Sequence, residues 1–393
     1  MPPALRLVVT VVVPLIVFLL SRITLPGIDL PVTPNVPLPN AVSFDPSLVS
    51  VVALGLLPIV TAFVLVEIVA AILPPLRPLR RNGPAGRRSL RRASVALALL
   101  MTFVQGFFIA RYFESLSQRS LVLLVPNPGA AFQLVLAATL TGATALLLSL
   151  SWIVDHFGLG NGVSLLLGEA ALSTLAGHAT ADVRTLLSLA LVAAATGALL
   201  TFHRRRAGAL RDPITGAIPL FVAASFWSLF SRLSAWGLPI PAPDRPDSIA
   251  FAVTHCVLLA LLAVPFAFAF QRGISRDRLL PALGRATAWL VLVALVALSA
   301  GDDALCAVTA TAVGVDLVLE WRLRQHAPTL VAVWPLPSVA SIDPALARLR
   351  AAGIYGFVRA AHHRALLQFF GPYLELDLLV PLARAEEAQA LLG

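Results

Sequence analysis

The stretch Trp152-Ile-Val-Asp-His-Phe-Gly-Leu-Gly-Asn-Gly-Val-Ser-Leu-Leu-Leu167 joins two apolar runs, each long enough to cross a bilayer. The joint, His156 to Asn161, is six residues long and is closed by Gly162. Its glycines free the backbone for a sharp reversal, and Asn161 suits a helix N-cap just ahead of the next apolar run. A tight turn between two membrane helices has use for Gly and Asn in any case. By itself, then, the turn marks a helical hairpin and nothing more.

The rest of the chain is of the same kind. Of its 393 residues 58% are hydrophobic and 12% charged, with a mean hydropathy of +0.88. A water-soluble domain of that composition would expose large apolar patches, so the composition predicts a polytopic membrane protein. All 29 basic residues are arginine, and the net charge is +9. The arginines fall between apolar runs, which reads as membrane orientation rather than nucleic-acid binding. Cys256 and Cys306 both sit in apolar runs, which suits neither a disulfide framework nor a cysteine metal site. Leu7–Leu20 lacks a small-residue cleavage site and runs into a Pro-rich segment, so a cleaved signal peptide is not expected.

Counting apolar runs predicts ten spans, at about 7–21, 48–73, 93–110, 130–154, 160–176, 185–202, 214–231, 248–270, 286–300 and 304–319. The loops on one side carry 18 arginines against six on the other. The positive-inside rule then places both termini in the cytoplasm. The loop Pro26–Pro46 is crowded with proline and is expected to be extended and extracytoplasmic. Gly55-Leu-Leu-Pro58 lies in the second span and Gly216-Ala-Ile-Pro219 in the seventh, the second span of each five-span half. Halves of five spans face opposite ways, and paired Gly/Pro interruptions in an inverted repeat point to a pathway between them.

Beyond the last span the composition changes. Thr329–Gly393 alternates strand-like runs (330–336, 354–358, 374–380) with helical ones (344–352, 385–392), which predicts a small α/β domain of ferredoxin-like type. It shows no catalytic motif. His362-His363 lacks a third ligand nearby and is read as part of a solvated loop rather than a metal site.

Six stretches stand out in order: Leu25-Pro-Gly-Ile-Asp29, Ala53-Leu-Gly-Leu-Leu-Pro-Ile-Val60, Asn82-Gly-Pro-Ala-Gly-Arg-Arg88, Asn127-Pro-Gly129, Trp152–Ser164 and Gly216-Ala-Ile-Pro219. Taken together and in that order, they resemble the SecY family, the protein-conducting channel of the bacterial membrane. The resemblance covers residues 1–325 and implies an all-α channel of ten helices in two inverted five-helix halves around an hourglass pore. Residues 326–393 then form an appended cytoplasmic domain, which loosely resembles small bacterial signal-transducing domains.

Carried over by position, the apolar ring that seals the family's pore falls on Leu56, Val60, Val163, Leu167 and Phe221, with Val308 or Thr309 from the tenth span. Leu56/Val60 and Val163/Leu167 are i,i+4 pairs, stacked on one helix face. From periodicity alone, ordinary helix packing is the favoured reading of such pairs. Glu67, on the same face as Val60, falls where the family keeps a polar lateral-gate residue, and Asn161 belongs to the same polar neighbourhood. The implied partner-binding basic loops carry Arg87, Arg88, Arg204, Arg205, Arg206 and Arg285.

The implied partners are an unfolded polypeptide substrate, a SecE-like small membrane subunit, membrane lipid, and SecA or a ribosome. The last two are weakened by the short loops His203–Pro213 and Gln271–Arg285. The interval Leu30–Val52 is short and proline-rich, which suits the family's helical plug poorly. No cofactor, metal, nucleic acid or covalent chemistry is implied. Two further functions stay open: a specialised SecY paralogue without general secretion activity, and a small-solute or proton-coupled transporter relaying protons through Glu67, Glu169 and Asp316. An intramembrane protease is disfavoured, since neither a His-Glu-x-x-His nor a Gly-x-Ser-Gly motif is present.

Overall fold

An apolar run with proline in its first turn starts the first helix, α1 (Pro3–Leu20). In the computed structural model, the residues described are 1–29, 49–76, 78–79, 83–119, 124–177, 183–207, 249–270, 276–300, 303–327, 329–336, 339–366 and 376–393. The expected seventh span, with Phe221 and Gly216-Ala-Ile-Pro219, lies outside them, as do most of the Pro-rich loop and of the plug interval. The chain divides into two units, Met1–Leu166 and Leu167–Gly393.

In the first unit, α1 is followed by α2 (Leu57–Ile72), α3 (Gly83–Arg119) and α4 (Ala130–Phe157). One face of α1 buries Thr10, Val13 and Val17, while Val8, Val11, Leu15 and Leu19 stand exposed on the other. An exposed stripe of large aliphatic side chains is an aggregation hazard in water and the ordinary state of a helix in lipid.

Helix α2 begins later than the apolar run suggests. Residues 51–56 form turns, Gly55 takes a φ of +50°, and Pro58 sits in the first helical turn. Gly55-Leu-Leu-Pro58 therefore starts the second helix rather than interrupting it. Proline lacks an N–H, which is no loss where the first N–H groups have no helical partner.

Leu25-Pro-Gly-Ile-Asp29 is pinned at both ends. The Leu25 N–H donates to the Val49 carbonyl at 2.8 Å and the Asp29 N–H to that of Leu124 at 3.0 Å. Gly27 has φ +81°, and a Cβ there would lie 2.9 Å from the Phe132 ring, so both backbone and space call for glycine. The segment closes a core of Leu25, Ile28, Val49, Phe113, Leu124 and Phe132. Helices α3 and α4 pack together, with Gly106 against the Ala137 backbone and the Thr102 and Thr144 hydroxyls 3.3 Å apart. Small residues at such a crossing let membrane helices approach closely.

The boundary between units falls inside α5 (Gly162–Gly177). The second unit continues with α6 (Val183–Ala207), α7 (Ile249–Phe270), α8 (Arg276–Ala300) and α9 (Asp303–His326). Its helical core includes Val192, Leu200, Leu259, Leu290, Val293 and Val308, and the buried Trp289 indole donates to Thr196 Oγ1 at 3.0 Å. Gly168 of α5 lets Val313 of α9 approach to where a Cβ would meet its methyl at 3.0 Å.

Helix, strand and helix then alternate in β1 (Leu330–Leu336), α10 (Ile342–Ala351), β2 (Phe357–Val358), α11 (Ala361–Leu366), β3 (Leu376–Pro381) and α12 (Ala385–Leu392). The sheet is antiparallel in the order β1-β3-β2, with a bulge between Ala332 and Trp334. Pro335 sits in β1, an edge strand, where a missing ladder donor is tolerated. The described residues of this segment mix helices and strands, as the alternation predicts. Among the described residues its sheet has three strands, a smaller arrangement than the ferredoxin-like one expected.

Four described helical stretches are long and apolar enough to cross a membrane: Pro3–Leu20, Ala85–Gln118, Ala130–Phe157 and Asp303–His326. Others contain shorter apolar stretches. The protein is a membrane protein, mostly helical.

Candidate functional site

The turn between α4 and α5 is held from several directions. Asp155 Oδ1 accepts the Gly162 N–H at 2.7 Å, and the Asn161 side chain accepts the Ser164 N–H at 3.0 Å. Asn161 is thus the N-cap of α5, and its side chain is buried. Gly160 has φ +74°, and a Cβ on Gly162 would lie 2.0 Å from the Ser151 carbonyl oxygen.

Helix α1 closes the turn from outside. Thr10 Oγ1 accepts the Leu159 N–H at 2.8 Å, and the Arg6 guanidinium donates to the carbonyls of His156 and Gly158 at 3.2 and 3.1 Å. Arg91 of α3 lies 3.5 Å from the other oxygen of Asp155. Thr10 and Arg6 were not singled out in the sequence. Their only signal there is a polar residue one turn after an arginine in an otherwise apolar helix.

The expected ring positions divide between the two units. Leu56, Val60 and Val163 belong to the first and are buried, and Val60 stands one turn after Leu56, whose carbonyl accepts its N–H. Leu167 and Thr309 belong to the second and are half-buried, while Val308 is fully buried. Glu67 is half-buried on α2, two turns beyond Val60.

The basic positions are not on loops. Arg87 and Arg88 lie inside α3, Arg204–Arg206 inside α6 and Arg285 inside α8. Arginine is a good helix former, and between Pro84 and Pro126 no proline stops α3. At 37 residues α3 is about 55 Å long, against about 30 Å of hydrocarbon. Its basic first turns therefore extend past the apolar run.

A second polar centre lies where α9 meets the C-terminal domain. Asp316, Glu320 and Arg324 recur every four residues on one face of α9, and all are buried. Glu320 accepts Arg324 Nε at 2.8 Å on Oε1. Arg359 from the domain donates to both Glu320 oxygens, at 3.2 and 3.1 Å. Asp316 accepts the N–H groups of His362 and His363, at 3.2 and 2.8 Å, and His362 Nδ1 lies 2.7 Å from the same carboxylate.

His362 and His363 are therefore not in a solvated loop. They open α11, and His363 is wholly buried. Burial pushes the His363 pKa down to about 4, against the opposing pull of Asp316. Among the described residues no three His, Cys, Asp or Glu are placed to hold a metal.

Each centre lies among apolar helices of its own unit, and part of the chain is similar to known proteins. A family model described as SecY matches residues 50–207. The protein translocase subunit SecY of Thermus thermophilus is 31% identical over 118 residues, 30% of this chain and 27% of that protein. That of Staphylococcus aureus is 31% identical over 127 residues, 32% and 29% of the two. The matched stretch thus spans less than a third of these relatives. Solved structures described as a protein conducting channel and as Sec61 in the canine ribosome-channel complex have TM-scores of 0.47 and 0.48. Their identities are 12% and 14%, over 82% of this chain and 93% of each of theirs, and so loose a likeness carries no argument. The stretch 50–207 is thus similar to the SecY family.

Proposed function

We propose that this chain is the channel subunit of a SecY-type translocase, passing unfolded polypeptides across the membrane or releasing them sideways into it. The observation that carries the reading is the family match over residues 50–207, which takes in Leu56, Val60, Val163 and Leu167. In this reading the ten spans form two inverted five-helix halves. Those four residues, with Phe221 and Thr309, make an apolar waist that excludes ions by dewetting and parts for an extended chain. Glu67 and Asn161 line the lateral gate. The chain does no covalent chemistry, and a partner supplies the energy.

The chain sits in the inner membrane with both termini in the cytoplasm. A SecE-like subunit braces it, and the helical arginines Arg87, Arg88, Arg204–Arg206 and Arg285 meet anionic headgroups, a SecA motor or a ribosome. Of the three acids that a proton relay would use, Asp316 argues against the transporter reading. Both Asp316 oxygens are engaged by the C-terminal domain, which leaves that carboxylate in a structural role.

The test is ionic conductance of membranes holding the Val60→Gly, Val163→Gly double variant. A rise over the unsubstituted protein is expected, and an unchanged conductance contradicts the waist.

A further inference from the structure

The contacts between α9 and the C-terminal domain are of a kind that fixes rather than tethers. Two short segments meet: Asp316, Glu320 and Arg324 on one face of α9, and the run Arg359-Ala-Ala-His-His363. Glu320 is 1% exposed, Arg324 1% and Arg359 4%. A carboxylate buried between two guanidinium groups is held by charge-assisted hydrogen bonds, and removing one partner leaves the others charged and unsolvated. Arg359 also faces Asp377 of β3 at 3.8 Å. Arg324 reaches the Leu330 carbonyl at 3.4 Å, so it spans from the helix to the first strand.

Packing adds to charge. Ala365 and Leu366 of α11 belong to the same buried cluster as Trp289, Leu290, Val293 and Val308 of the membrane helices. Between Arg359 and α11, Ala360 takes φ +55°, a conformation that L side chains rarely adopt. Such a residue persists where its surroundings over-determine the backbone.

We propose that the C-terminal domain and the last membrane helix form one rigid element, locked by the Arg324–Glu320–Arg359 triad and by Asp316 at the head of α11. A partner that engages the outer face of the domain then acts directly on α9. This goes beyond the channel reading and does not depend on it, since the lock exists whatever the helices conduct.

The test is a distance distribution between spin labels at Val318→Cys, exposed on α9, and Ala347→Cys, exposed on α10. It uses the full chain in lipid nanodiscs with Cys256 and Cys306 replaced by alanine. A single narrow distribution is expected, and one as broad as a flexible tether gives overturns the proposal. Glu320→Ala in the same background is expected to widen the distribution about twofold or more, since it strands two buried guanidinium groups. An unchanged width in that variant refutes the triad as the lock. If Glu320→Ala fails to fold, the width of the unsubstituted pair still decides whether the two parts move together. Conductance and translocation do not enter the readout, so failure here is separable from failure of the channel reading.

Discussion

Asp155 and Gly162 are joined by a 2.7 Å hydrogen bond, in which the carboxylate at the end of one helix accepts the first N–H of the next. The turn between them reverses the chain in a few residues, and the absence of a Cβ at Gly162 is what lets the two helices meet there. Alanine at this position would place a carbon 2.0 Å from the Ser151 carbonyl, a backbone atom that cannot swing aside.

Gly162→Ala is therefore expected to destabilise the first unit by about 3 kcal/mol or more, the scale of overpacking in a close-packed interior. Gly142→Ala is the control. Its Cβ meets nothing within 4 Å, and alanine in a helix interior is better than glycine by up to about 1 kcal/mol. Thermal unfolding in detergent distinguishes the two, and equal midpoints would contradict the account of the turn.

Thr10→Val keeps the shape of a buried side chain and removes the acceptor for the Leu159 N–H. The expected loss is about 1–3 kcal/mol, the cost of leaving a buried donor unsatisfied. Hydrogen exchange at Leu159 should rise with it. Unchanged protection there would mean that α1 does not hold the turn.

The hairpin was legible because the turn chemistry lies in six adjacent residues. Asn161 caps α5 as its residue type suggests, and the strands and helices of the C-terminal domain fall close to where the alternation placed them. The clamp on the turn was not legible, because Arg6 is 150 residues from His156 and no local pattern links them. The basic positions expected on loops lie within helices because arginine stops neither a helix nor its hydrogen bonds. The histidine pair reads as a solvated loop in the sequence because its partner, Asp316, lies more than 40 residues earlier, on another helix. The stripe Asp316, Glu320, Arg324 was readable as a polar face, but what covers it is set by a segment some 40 residues later.

His363 gives the junction a pH dependence. Its folded pKa of about 4 lies below the ordinary value of 6.5, so the unfolded chain binds the proton more tightly. Stability from the buried neutral ring is complete above pH 6.5 and falls as pH drops from 6.5 toward 4, by up to about 1.4 kcal/mol per unit. Unfolding of the C-terminal domain followed across that window should show the slope, and His363→Gln should flatten it. Asp316 and His362 are present in both proteins, so the difference between the two slopes isolates His363. Equal slopes would refute the assignment.

The central claim, a polypeptide path through an apolar waist, is tested most directly by photocrosslinking from inside the protein. A photoreactive residue is placed at Val163, buried near the start of α5, or at Val135, exposed on α4, in membranes engaged with a stalled secretory precursor. The account predicts adducts with the precursor from position 163 and none from 135. No adduct at 163, or equal adducts at both, would contradict it.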